Sequence, residues 1–204
     1  MIKRTVLSSL FLSALISVNA QDIDFSQLNR ECNEGDLDSC FLAGTLYIEG
    51  DGTDKDVFSG VKLTEKACEG GVIQACSVLG EMYLSGNGVP QNSSQAVYYI
   101  DKACNGSDMY ACAVLGSMRA RGIGIGRDMQ KAAELFVKSC DGNDAFGCLL
   151  IGKLYEDGYG VSKNYQKSIE LYGKSCELGN SEACKNKEEL LGKIKADSES
   201  VNTK

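Results

Sequence analysis

The sequence predicts an all-α protein, an α/α solenoid of 36-residue helix-turn-helix repeats clamped by disulfides, and three observations carry that expectation. Ten cysteines, Cys32, Cys40, Cys68, Cys76, Cys104, Cys112, Cys140, Cys148, Cys176 and Cys184, repeat one C-x7-C pair every 36 residues without insertion or deletion. Other columns lock to the same period: Gly44, Gly80, Gly116 and Gly152; Gly50, Gly86, Gly122 and Gly158; Gly52, Gly88, Gly124 and Gly160; Lys66, Lys102, Lys138 and Lys174. Each period also holds two stretches of helical apolar spacing separated by glycine. Periods of this size mark stacked units that cannot bury a core singly.

Taken in order, residues 1–20 read as a secretory leader. Lys3 and Arg4 make a basic start, Val6 to Val18 is an apolar stretch lightened by serines, and Val18-Asn19-Ala20 ends in small residues, so cleavage is expected after Ala20. Thirteen residues at ~1.5 Å each span about 20 Å, short of a ~30 Å hydrocarbon core. A secreted or periplasmic chain follows, with no membrane insertion once the leader is gone. Residues 21–31 read as a lone second helix, because Phe25 and Leu28 fall 36 residues before Val61 and Thr64.

Residues 32–180 read as four repeats. The columns beginning Leu42, Ala43, Leu46 and Tyr47 are apolar at i, i+1, i+4 and i+5, one face of a first helix; Arg119 departs, standing where other copies have Tyr. Asp36, Asp108, Asp144 and Asn180 precede this helix as N-caps, with Val72 the exception, and Gly50 and its equivalents stop it. A second helix opens at Asp56, Asn92, Asp128 and Asn164. It buries Val61, Val97, Ala133 and Ile169 with Thr64, Ile100, Phe136 and Tyr172, and Leu63, Tyr99, Leu135 and Leu171 lie alongside. Residues 181–196 read as a capping first helix, with Leu190 and Leu191 in the Leu46 and Tyr47 columns. Residues 197–204 read as a polar, fraying tail.

An even cysteine number behind a leader favours disulfides. Eight residues of continuous helix separate Cα atoms by about 12 Å, whereas a disulfide needs ~4.4–6.8 Å, so the chain must turn within each C-x7-C. Gly35, Gly70 with Gly71, Gly106, Gly142 and Gly179 allow that turn. The local pairs Cys32–Cys40, Cys68–Cys76, Cys104–Cys112, Cys140–Cys148 and Cys176–Cys184 are therefore favoured. The competing pattern, Cys40 to Cys68 and so on, is also sterically reasonable and leaves Cys32 and Cys184 unpaired. Structural zinc sites use C-x2–4-C spacings, so no metal is expected.

The run Ala75-Cys76-Ser77-Val78-Leu79-Gly80-Glu81-Met82-Tyr83, with Gly86, Gly88 and Val89 after it, resembles the Sel-one-like repeat, a relative of the tetratricopeptide repeat. With a cysteine pair in every period behind a leader, the chain resembles the cysteine-rich Hcp family of secreted bacterial proteins, over nearly all of residues 32–184. The resemblance implies binding of β-lactams or muropeptide-like peptidoglycan fragments, with slow β-lactamase activity. The resemblance also implies engagement of host cells. The alternative is a non-catalytic scaffold that holds a peptide or protein, such as a host factor, in its groove.

The residues themselves narrow the chemistry. The chain has no His, so Ser-His-Asp, Cys-His and His-ligated zinc sites are excluded. With 21 basic against 28 acidic residues and a net charge of −7, nucleic acid is disfavoured. No cofactor is expected, and a monomer is. After the leader, the S-x-x-K motif occurs only as Ser59-Gly60-Val61-Lys62, in a column held elsewhere by Gln95, Lys131 and Lys167; S-D-N and K-T-G are absent. Catalytic residues therefore stay unassigned. Gly122-Ile123-Gly124-Ile125-Gly126 follows a helix rather than a strand and reads as a turn, not a phosphate loop. Glu49, Asp51, Asp54 and Asp56 miss the calcium-loop pattern. Nothing in the spacing brings the carboxylates Glu81 and Glu156 together.

Specificity is expected on a concave groove lined by the first helices, in columns that vary between copies. Those are Phe41, Thr45 and Ile48; Ser77, Glu81 and Leu84; Ala113, Ser117 and Ala120; Lys153 and Glu156. Arg119 and Arg121 are a basic exception suited to a carboxylate.

Overall fold

The computed structural model describes residues 24–202, with side chains as far as residue 197. The predicted leader lies outside the described residues. Among them there are ten α-helices and no strand: α1 (Phe25–Glu34), α2 (Leu37–Glu49), α3 (Val57–Glu69), α4 (Ile73–Ser85), α5 (Ser93–Asn105), α6 (Met109–Arg121), α7 (Met129–Asp141), α8 (Ala145–Asp157), α9 (Tyr165–Glu177) and α10 (Ser181–Asn202). α2 packs on α3, α4 on α5, α6 on α7 and α8 on α9, and each such pair packs on the next. The result is a solenoid of helix hairpins with α1 and α10 as its single-helix ends.

Local chemistry sets the helix ends. Asp36, Asp108 and Asp144 accept hydrogen bonds from Ser39 N (2.8 Å), Ala111 N (2.9 Å) and Gly147 N (2.6 Å), and Asn180 accepts from Ala183 N (3.0 Å). Val72 precedes α4 with no side-chain cap. Asp56, Asn92, Asp128 and Asn164 cap the second helices in the same way. The first helices stop at Gly50, Gly86, Gly122 and Gly158, whose φ of 75°, 76°, 74° and 80° only glycine adopts without strain.

Three boundaries differ from the spacing's prediction. α1 starts at Phe25, behind the N-cap Asp24, and runs to Glu34, so Cys32 lies inside it, because Gly35 (φ 108°) is the first residue able to break the helix. α10 continues past residue 196 to Asn202, since no Gly or Pro follows Gly192 to stop it.

Five disulfides join Cys32–Cys40, Cys68–Cys76, Cys104–Cys112, Cys140–Cys148 and Cys176–Cys184, with Cα atoms 4.5, 4.8, 4.6, 4.4 and 4.8 Å apart. Each ties the last turn of one helix to the first turn of the next. At the last four clamps small residues stand ahead of both cysteines, where the backbones approach closely: Ala67 and Ala75, Ala103 and Ala111, Ser139 and Gly147, Ser175 and Ala183. At the first clamp Ser39 Oγ instead donates to Glu31 at 2.8 Å. Among the described residues no cysteine is free and no helix is long and apolar enough to cross a membrane. These disulfides fit a secreted or periplasmic protein.

Repeats interlock by size. A Cβ on Gly70, Gly106 or Gly142 would strike Leu37, Ile73 or Met109, the large first residue of α2, α4 or α6. The last register reverses the sizes, with Ala145 opening α8 and Leu178 in the glycine column. Electrostatics adds a second link. Lys66, Lys138 and Lys174 each donate Nζ to the carbonyl of a cysteine 34 residues earlier, Cys32 (2.7 Å), Cys104 (3.0 Å) and Cys140 (2.6 Å). A cation thus sits on the C-terminal carbonyls of the preceding second helix, where the helix dipole is negative. Lys102 departs, pairing with Glu69 at 2.7 Å. Lys138→Met, which keeps the stem and removes the charge, is expected to cost roughly 0.5–1 kcal/mol. Urea denaturation in low salt checks this, and the difference should shrink in high salt.

Candidate binding groove

Two open clefts follow the first helices. One, of about 580 Å³, lies along the starts of α2, α4 and α6 and is lined by Leu37, Asp38, Gly70 to Gln74 and Gly106 to Asp108. The other, of about 230 Å³, lies between α8 and α10 and is lined by Lys153, Glu156, Asp157, Tyr172, Asn186 and Glu189. Contacts between successive first helices build the face. Ser77 Oγ on α4 donates to Asp108 Oδ2, Tyr110 on α6 lies 6.1 Å ring to ring from Phe146 on α8, and Lys153 on α8 pairs with Glu182 on α10 at 2.6 Å.

Several side chains in the expected groove columns serve the solenoid instead. Phe41 and Leu84 are half-buried against the core, and Ile48 lies over Gly60 of α3. Ala113 is buried and Ala120 half-buried. Thr45 and Ser117 turn their hydroxyls back to their own helices, donating to Leu42 O (2.8 Å) and Ala113 O (3.0 Å). Arg119 donates to Gly126 O at 3.4 Å, so its guanidinium serves the turn of its own repeat. The reason lies in its column: the equivalent Tyr47 and Tyr83 pack on Phe25 and Tyr99, rings of the second helices. Arg121 is exposed in the last turn of α6, where the helix dipole favours a cation.

The carboxylates divide by surroundings. Glu156 accepts from Tyr172 Oη (2.8 Å) and pairs with Lys193 (3.1 Å); burial first, and then this carboxylate, push the Tyr172 phenol upward. Glu81 has no hydrogen-bond or ion-pair partner for its carboxylate among the described residues. Although its side chain reaches solvent, desolvation by the surrounding protein and then the charge of Asp108 hold its carboxyl above the usual glutamate range. Tyr110 is raised first by desolvation and then by the charges of Glu81, Asp144 and Asp108.

The S-x-x-K residues are occupied elsewhere. Ser59 Oγ donates to Asp56 Oδ2 at 2.6 Å, inside the N-cap of α3, and Lys62 Nζ lies 4.2 Å from the centre of the Phe58 ring. Among the described residues no group of three or more Cys, Asp or Glu side chains is arranged to hold a metal ion.

Tyr110 and Phe146 are the site residues missing from the sequence-based set. The signal was present, because their column is otherwise polar, with Asp38, Gln74 and Glu182. Tyr110 is exposed and Phe146 half-buried, so both rings reach the surface of the first helices.

Comparison with known proteins follows the repeats. The Sel1 repeat family model matches residues 37–72, 73–108, 110–144 and 145–180. Among solved structures the chain is similar to c5321, a protective antigen present in uropathogenic Escherichia coli strains displaying an SLR fold, with 30% identity and a TM-score of 0.76 over 80% of this chain and 35% of that one. It is similar to a Sel1 repeat protein from Oxalobacter formigenes, with 25% identity and a TM-score of 0.72 over 79% of this chain and 66% of that one. Helicobacter pylori cysteine rich protein B shares 32% identity, with a TM-score of 0.49 over 61% of this chain and 94% of that one. The chain thus spans little more than a third of the Escherichia coli antigen. No curated protein matches it.

Proposed function

Because the chain belongs to the Sel1 repeat family, we propose that it is a non-catalytic scaffold that holds a peptide segment of a partner protein against its first helices. One observation carries this reading: along the accessible face of the first helices the side chains change from repeat to repeat, Glu81, Ser117 and Lys153 in one column and Asp38, Gln74, Tyr110, Phe146 and Glu182 in another, while the cysteine, lysine and helix-stopping glycine columns of the solenoid do not. Invariant columns build shape, and variable ones on an accessible face supply specificity. The five disulfides support work outside the cytoplasm, where host factors are among the partners to be met.

β-Lactam binding with slow hydrolysis, which the cysteine-rich resemblance implies, draws no support from these side chains. An acyl-enzyme route needs a nucleophile beside a base, and Ser59 and Lys62 are engaged by Asp56 and Phe58.

The test is selection of a displayed random-peptide library on the disulfide-bonded chain. Enriched peptides should bind saturably, and Ser117→Trp, which fills the middle of the face, should weaken them by about tenfold or more. Nitrocefin turnover and fluorescent-penicillin labelling should be absent. A library without enriched sequences, peptides indifferent to Ser117→Trp, or turnover that stays with the protein through purification would overturn the reading.

A further inference from the structure

The repeat gives the first-helix face a register. Lys153 and Glu182, 29 residues apart, meet at 2.6 Å across α8 and α10. The same two columns, two repeats earlier, hold Glu81 and Tyr110, and one repeat earlier Ser117 and Phe146. At the C-terminal end the groove therefore satisfies its own acid with its own lysine. In the middle the acid Glu81 lies beside the Tyr110 ring, with Phe146 6.1 Å beyond that ring, and among the described residues no cation pairs with Glu81.

The charge around those rings has one sign. Tyr110 is 49% exposed, with Phe146 beside it. Glu81, Asp108 and Asp144 all act on Tyr110. Asp108 and Asp144 are held as helix caps, while the Glu81 carboxylate is unpaired. The ion pairs seen among the described residues, Lys102–Glu69, Lys153–Glu182 and Lys193–Glu156, leave these three acids untouched. Aromatic faces attract ammonium and guanidinium groups and cover their alkyl stems, which a bare metal ion lacks.

We propose that Tyr110, Phe146 and Glu81 form the seat for a lysine or arginine side chain of a basic peptide segment lying across α4, α6 and α8. The proposal rests on the scaffold reading and adds the chemistry of the partner. An incoming cation would also relieve the repulsion that Glu81 feels from Asp108.

The test uses the disulfide-bonded chain and a fluorescent Gly/Ala peptide carrying two lysines, beside versions with norleucine or glutamate in their place. Anisotropy titration should show the lysine peptide binding about tenfold tighter than the norleucine one, the glutamate peptide weakest, and affinity falling with added salt. Glu81→Gln and Tyr110→Leu should each weaken the lysine peptide several-fold while circular dichroism stays that of wild type. Tyr110→Leu keeps apolar area and removes the ring face. Glu69→Gln, on the opposite helices, should change nothing. Equal binding of lysine and norleucine peptides, or wild-type affinity in Glu81→Gln, overturns the seat. If library peptides still bind and Ser117→Trp still blocks them, only the cationic seat falls; if they do not, the scaffold falls with it.

Discussion

Replacing Cys104 and Cys112 together by alanine is expected to lower the unfolding free energy by roughly 3–4 kcal/mol, the largest effect among the changes considered. The bond closes a loop of about nine residues, and the chain-entropy estimate for such a loop is roughly 2–3 kcal/mol. Both sulfurs are buried, so the vacated volume adds about 1 kcal/mol more. Position matters as much as the bond. This clamp joins α5 to α6 at the centre of the stack, and in a solenoid each unit is stabilised by its nearest neighbours. Loosening the centre uncouples the two halves, so urea denaturation followed by circular dichroism should broaden or split. Removing Cys176–Cys184 releases only α10, and a smaller shift with one transition is expected. Equal effects at the two positions would contradict the neighbour-coupled account.

Gly44→Ala is expected to cost about 2–3 kcal/mol, although alanine is ordinarily the better helix residue by about 1 kcal/mol. The first and second helices cross here at their backbones. A Cβ on Gly44 would lie 2.5 Å from Thr64 Oγ1 and 2.9 Å from Gly60 O, and one on Gly60 would lie 2.7 Å from Gly44 O. A carbonyl oxygen cannot rotate away as a side chain can, so α2 and α3 must separate. Gly80→Ala is the control. Its obstacle is chiefly the Ile100 side chain, with the nearest backbone atom at 3.2 Å, and repacking should leave it within about 1 kcal/mol of wild type. Thermal melting of the two variants checks the contrast, and equal losses would mean that side-chain crowding, not backbone contact, governs the glycine column.

The legible and illegible parts of this chain differ in range. Asp36, Asp56 and Gly50 act within a few residues of themselves, so their capping roles could be read from spacing. The lysine column was visible as a repeat, but its purpose was not: the amine reaches a carbonyl 34 residues away, which only the stacking of one hairpin on the next brings near. Ile48 and Arg119 show the converse. Both lie on the first helices, yet helix rotation points one at Gly60 and the other at Gly126 O. Tyr110 and Phe146 could have been found as aromatics in a polar column, but their meeting with each other, and with an unpaired Glu81, required the register between repeats.

By itself, then, the sequence determined the helix hairpin, its 36-residue period, its caps and the even cysteine complement, because these follow from dihedral preferences and hydrogen bonds that close within one turn or one repeat. Only the tertiary structure decided which repeated residues join hairpins, which cysteines bond, and that Glu81 lies beside Tyr110 without an ion-pair partner among the described residues. Those outcomes depend on the angle and rise between successive hairpins, a property of how side chains such as Leu37, Ile73 and Met109 seat against the next turn, and no single repeat contains it.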